Sequence, residues 1–144
     1  MFLLVGGAVV LTCGCSRENR STLRADTRDA YRDSVAALDK SWDRAKDYTF
    51  DERDKAMAEL KSASSRTEAR VHDVQANFDE QRADAKQRAA MTELKEADDD
   101  YRSKLDALGR AGADTWNAAR DETLASWHRL QAAYDRVRSD HDRR

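Results

Sequence analysis

The sequence predicts an all-α protein: elongated antiparallel helical hairpins of coiled-coil type around one long central helix, with a three- or four-helix bundle as the alternative. Three observations point there. The 144 residues include no proline, the residue that most strongly interrupts a helix. Of five glycines, Gly6, Gly7 and Gly14 lie within the first fifteen residues, and only Gly109 and Gly112 lie beyond them. From about residue 22 onward, apolar residues recur every third or fourth position, which lines one face of a helix.

Charge is just as unevenly placed. The 26 Lys and Arg and the 28 Asp and Glu all follow Ser16. Their signs are interspersed and the net charge is −2. With 7% aromatic residues, such a body suits long helices that bury a narrow stripe. It offers no basic face for nucleic acid.

The first element is apolar. Phe2 to Leu11 carries no charge. A run of this length is too short for a bilayer, which takes roughly 20 residues, but it matches the apolar core of a secretory signal. It leads into Leu11-Thr12-Cys13-Gly14-Cys15-Ser16. This segment resembles the lipobox of bacterial lipoproteins. The resemblance implies a signal peptide over residues 1–14, cleavage between Gly14 and Cys15, and lipidation of Cys15. Cys13 is the second candidate acceptor, with Thr12 before it; Leu11 stands one place further from Cys15 than the family pattern prefers. No Lys or Arg precedes the run, so a basic segment upstream is expected. The competing reading is a buried apolar helix ending in a Cys-x-Cys metal or disulfide motif.

What the lipoprotein resemblance implies is attachment to a membrane through acyl chains such as palmitate. One chain anchors only marginally, at about 0.8 kcal/mol per buried methylene, and the family's three chains anchor firmly. By analogy with lipoprotein sorting, Ser16 implies the outer membrane, facing the periplasm. Residues 15–22 read as the lipidated cysteine and a polar tether.

Residues 23–140 read as the helical coiled-coil domain. Helix one is expected from about Thr22 to Asp47, with Tyr31, Val35, Leu38, Trp42 and Ala45 on one stripe. Thr49-Phe50-Asp51-Glu52 has the form of a capping box. A long central helix is then expected from about Asp51 to Leu108. It carries two stripes: Met57, Leu60, Thr67, Val71, Val74 and Phe78, then Met91, Leu94, Ala97, Tyr101, Leu105 and Leu108. On a straight helix the second lies about 140° around from the first. Helices one and three would therefore pack on opposite sides of the central one, as a Z-like rod. The bundle alternative breaks the centre near Ser62–Ser65 or Ala83–Ala90. Asp51–Lys55, Asp84–Arg88, Asp98–Arg102, Asp100–Lys104 and Asp106–Arg110 are acid-to-base pairs four residues apart. Gly109-Arg110-Ala111-Gly112 is the clearest stop signal. Helix three is expected from Ala113 or Asp114 to about Ser139, with Trp116, Ala119, Thr123, Trp127, Leu130, Tyr134 and Val137 on its stripe. Residues 141–144 read as a frayed tail.

Few constellations suggest chemistry. Trp42, Trp116 and Trp127 are the possible interface residues. Tyr31 and Trp42, like Trp116 and Trp127, are eleven residues apart, a period with almost no drift around a helix. In this they are similar to exchangeable apolipoproteins, which implies a lipid-surface role; the alternative places them as large side chains within the packing seam. His72, His128 and His141 are scattered and read as solvated, so no metal site and no cofactor are expected. Asp98-Asp99-Asp100 does not form a hydrolase pair, because neighbours on a helix diverge. No phosphate loop or nucleophile elbow occurs, and neither an enzyme nor a small-molecule substrate is expected.

Leu105 to Tyr134, within Lys95–Arg138, is similar to small bacterial coiled-coil stress-response proteins, which implies a non-enzymatic, stress-linked role. The murein lipoprotein is a more distant analogue, and its covalent attachment to peptidoglycan is not carried over, because the chain here ends in Arg143-Arg144. The expected function is a membrane-anchored cell-envelope lipoprotein with a structural or protein-interaction role, through a protein partner or self-association. A periplasmic helical-hairpin chaperone or stress sensor and an amphipathic lipid-surface protein are the alternatives.

Overall fold

A computed structural model describes the backbone of residues 17–142 and the side chains of residues 28–140. The signal segment, Gly14 and Cys15, and the side chain of His141 lie outside the described residues. The described chain is all-α: α1 (Arg17–Ala45), a short 3₁₀ turn (Phe50–Glu52), α2 (Arg53–Ala76), α3 (Ala85–Gly109) and α4 (Trp116–Asp142). The helices have 29, 24, 25 and 27 residues, or about 36–44 Å each at 1.5 Å per residue. α1 opens at Arg17, so helix begins within the stretch read as a tether.

The expected central helix is two helices. The break falls between Ala76 and Ala85, at the edge of one of the two expected positions, and Ser62–Ser65 lies inside α2. Local side chains make the break. Asn77 closes α2, its backbone N–H and side-chain amide both donating to the Asp73 carbonyl, at 3.1 and 2.7 Å. The Asp79 carboxylate accepts the backbone N–H groups of Gln81 and Arg82 at 3.1 and 3.3 Å. Asp84 then opens α3 with a reciprocal box: its carboxylate accepts the Gln87 N–H at 2.8 Å, and the Gln87 amide oxygen accepts the Asp84 N–H at 3.0 Å. Short polar side chains that satisfy the backbone outside a helix compete with the helix itself. The reversal also removes the phase conflict, because antiparallel helices can turn both stripes toward one core.

The other breaks follow the sequence closely. The Glu52 carboxylate accepts from the backbone N–H and the hydroxyl of Thr49, at 3.1 and 3.3 Å. α3 ends at Gly109 without a left-handed residue, since no described glycine has positive φ. Its last turn tightens instead, with the Arg110 N–H on Ala107 and the Ala111 N–H on Leu108. Thr115 starts α4, its hydroxyl oxygen accepting the Gly112 N–H at 3.1 Å.

The rod therefore gives way to an up-and-down four-helix bundle. Successive helices are antiparallel, and α4 returns beside α1. Tyr31 stacks on Tyr134 with centroids 3.7 Å apart, the Trp127 indole N–H donates to Asp39 at 2.8 Å, and Arg120 donates to the Lys46 carbonyl at 2.8 Å. These three contacts run in opposite chain directions, which sets the α1–α4 register. Every residue of the four apolar stripes is buried or packed against the core. Leu38, Leu60, Val71, Leu94, Leu108 and Leu130 are among the fully buried side chains. Each such side chain contributes about 1.5–3 kcal/mol.

Charged side chains flank this core. Arg44–Glu59 joins α1 to α2 at 2.8 Å. Lys104–Glu122 (2.7 Å), Arg129–Asp100 (3.3 Å), Lys86–Asp140 (2.9 Å) and Arg136–Glu93 join α3 to α4. Of the pairs expected within helices, Asp98–Arg102 forms at 2.9 Å, while Lys104 and Asp100 are drawn across to α4. Partly exposed pairs contribute about 0–1 kcal/mol each, so they tune register more than stability. Among the described residues no helix is long and apolar enough to cross a membrane.

Truncation of Leu94 to Ala is expected to cost about 2–5 kcal/mol, read from the urea midpoint. Asp84→Ala, which removes the α3 cap, is expected to cost about 1 kcal/mol and to raise amide exchange first in residues 85–88.

Candidate functional site

α1, α3 and α4 bring their largest aromatic residues to the interior, and the polar atoms they carry define the most distinctive chemistry of the bundle. Trp42, Trp116 and Trp127 are 2%, 1% and 0% exposed. The folded bundle therefore does not offer them to a partner or a lipid, which corrects the expectation of an interface there. Trp42 and Trp127 flank Tyr101 inside the bundle, Trp116 packs at the end formed by the Tyr48–Phe50 loop, and Trp127 and Trp116 find acceptors on neighbouring segments. Trp127 of α4 donates to Asp39 of α1, whose carboxylate also accepts the Gln131 amide at 3.2 Å. Trp116 donates to the Tyr48 carbonyl at 3.4 Å, and Phe50 meets its ring edge-on at 6.4 Å.

The α2–α3 seam is the most polar part of the interior. Ser64 of α2 and Tyr101 of α3 share a hydrogen bond of 2.6 Å between their hydroxyls. Burial pushes the Tyr101 phenol up to about 12, against the pull of the Ser64 hydrogen bond and of the Trp42 indole beside it. Trp127 packs on Tyr101 from the other side, centroids 5.7 Å apart. Thr67 and Asp98 are buried along the same seam. Three buried polar atoms here have no hydrogen-bond partner: Trp42 Nε1, Thr67 Oγ1 and Asp98 Oδ1. Burial raises the Asp98 carboxyl above the usual aspartate range; Arg102 opposes this, and Glu68 and Asp99 add to it.

Other sequence-marked residues are not brought together. His72 and His128 are exposed on α2 and α4, and among the described residues no group of three or more His, Cys, Asp or Glu could hold a metal ion. Of Asp98, Asp99 and Asp100, the first is buried, the second exposed and the third half-buried against Arg129. The grooves are shallow. One of them, about 660 Å³, lies between α1 and α4 and includes Tyr31, Arg32, Val35, Asp39 and His128. Sequence reading missed Ser64 and Asp98 as interior residues. Asp98 sits four residues from Leu94 and three from Tyr101, on the apolar stripe itself, and this spacing is the signal that could have found it.

No protein family, curated protein or solved structure matches the chain.

Tyr101→Phe is expected to leave the Ser64 hydroxyl buried without a partner, at a cost of about 1–3 kcal/mol. Adding Ser64→Ala should recover much of that loss. A double-mutant cycle in urea reads both, and a fully additive pair would mean that the hydrogen bond contributes nothing.

Proposed function

We propose that the protein is a lipid-anchored component of a bacterial cell envelope, tethered through Cys15, with its four-helix body in a non-enzymatic structural or protein-interaction role. The observation that carries this reading is the apolar run Phe2–Leu11 leading into Leu11-Thr12-Cys13-Gly14-Cys15-Ser16. Lipid attachment needs only that segment. The body is consistent with it in one respect: α1 begins at Arg17, two residues after Cys15, so the bundle would be held close to the bilayer by its first helix. The membrane is the partner in this reading, at the periplasmic face of the outer membrane, and the bundle meets a further protein or a second copy of itself.

The burial of the three tryptophans bears on the alternatives. A lipid-surface protein of the apolipoprotein kind inserts such residues into the bilayer interface, and this bundle would have to open to do so. A hairpin chaperone or stress sensor would likewise have to part its hairpins to present apolar surface. The self-contained core therefore favours a body that works through its charged exterior.

Intact mass spectrometry of the protein extracted from membranes tests the anchor. The expected result is a chain starting at Cys15 with added acyl mass, and loss of membrane association in Cys15→Ala. An unmodified chain that keeps residues 1–14 overturns it. For the unacylated body, tryptophan emission and helicity should stay unchanged when vesicles are added. A blue shift with gained helicity would transfer support to the lipid-surface reading.

A further inference from the structure

The outer face of α1 sorts its charges by sign. Along the edge that borders α4 it reads Arg28, Arg32, Val35, Ala36, Asp39 and Asp43. At this spacing the six fall within about 100° of one another around the helix. Arg28, Arg32, Ala36 and Asp43 are exposed, and Val35 and Asp39 are half-buried. Elsewhere an acid and a base pair along one helix, as Asp98 and Arg102 do at 2.9 Å. Here Arg28 is followed four residues on by Arg32, and Asp39 by Asp43. Like charges at that spacing destabilise a helix. Asp43 also stands in the last turn of α1, at the negative end of the helix dipole; Lys46, at 2.9 Å, offsets part of this. The adjacent row, further from α4, has the reverse order: Asp29 and Asp33 come first, then Lys40.

Such a face opposes its own helix but fits a reversed copy of itself. We propose that a second copy of this chain packs antiparallel on the outer face of α1, about a two-fold axis that passes between Val35 and Ala36. Val35 then meets Ala36 of the second copy, Arg32 meets Asp39, and Arg28 meets Asp43, each contact occurring twice by symmetry. On the adjacent row Asp33 comes beside Lys40, two residues from strict register. Asp39 already accepts from Trp127 and Gln131, and a carboxylate has lone pairs left for a guanidinium.

The centre of the face is small and apolar, so the two helices can approach closely. Beside it opens the α1–α4 furrow, whose walls include Val35, Ala36 and Ala132. By the register of Tyr31 on Tyr134 and of Asp39 on Trp127, the axis crosses α4 near Leu130, where His128 and Ala132 line the furrow. Arg28 and Arg32 share their end of the furrow with Arg138 and one acid, Asp135. A partner of uniform charge would be attracted at one end of the row and repelled at the other, whereas a second copy is attracted at both. A face built of charges around two small residues gives a weak dimer, which added salt weakens further. This pairing rests on the reading of the body as one that works through its charged exterior, and it does not need the lipid anchor.

The test is charge exchange at the outermost pair. Sedimentation equilibrium on the full chain carrying Cys15→Ala, from micromolar to millimolar concentration, reads the dimer with acylation removed. The parent chain is expected to show a monomer–dimer equilibrium. Arg28→Asp and Asp43→Arg, each alone, are expected to weaken the dimer by about tenfold or more, because each sets two like-charge pairs across the axis. The double variant should dimerise as the parent does. An equimolar mixture of the two single variants should form a heterodimer, since one copy then carries two acids and the other two bases. Both positions are exposed, so helicity should match the parent, and recovery in the mixture excludes misfolding as the cause of the loss. A chain that stays monomeric over the whole range overturns the proposal. A dimer that neither reversal weakens overturns it too, as do single variants that recover neither in the double variant nor in the mixture.

Discussion

The reversal of the chain between Asn77 and Asp84 is the constraint on which the rest of the bundle depends. Met57 to Phe78 and Met91 to Leu108 carry apolar stripes on different sides of any straight helix drawn through both. As one helix they would need partners on two sides, and each hairpin would bury its stripe against a single neighbour. Once the chain turns back, both stripes face inward and α1 and α4 close the remaining sides. The turn is held by short-range polar contacts: Asn77 on Asp73, Asp79 on the backbone of Gln81 and Arg82, and the Asp84–Gln87 box. Helix propensity alone gives no reason to stop here, since no proline or glycine lies between residues 77 and 84.

A bundle of four helices encloses a wider interior than a two-helix rod, and this chain fills it with tryptophan and tyrosine. Such side chains bring polar atoms inside, and buried polar atoms need partners. Asp39 meets this need for Trp127, the Tyr48 carbonyl for Trp116, and Ser64 for Tyr101. These contacts are directional, unlike the packing of Leu on Leu, so they select one register between helices. The α3–α4 pair is further registered by its ladder of exposed ion pairs. The α2–α3 seam lacks comparable satisfaction at Thr67 and Asp98, which marks it as the place where the core is least settled.

This distribution shapes what the body can do. Apolar material is consumed by the core, and the exterior is a mixed field of both signs with shallow grooves. Recognition by such a surface rests on charge complementarity and shape more than on a deep apolar pocket. The bundle end formed by the Tyr48–Phe50 loop and the Gly112–Trp116 turn lies at the C-terminal end of α1.

The sequence by itself determined the helical class, the four apolar stripes, the Thr49–Glu52 start and the stop at Gly109. These are local properties, set by spacing along the chain and by groups a few residues apart. Tyr31, Leu38, Trp42, Leu94, Leu108, Trp127 and Leu130 could be placed on core faces in this way, and all are buried. The fold-back of the central stretch is also set locally, by Asn77, Asp79, Asp84 and Gln87, but tertiary structure alone decided that the tryptophans fill the core and that Asp98 is buried in the α2–α3 seam. Each of those outcomes depends on which helix lies across the seam. Periodicity tells which side of a helix is apolar, but not which residues another helix will bring to meet it.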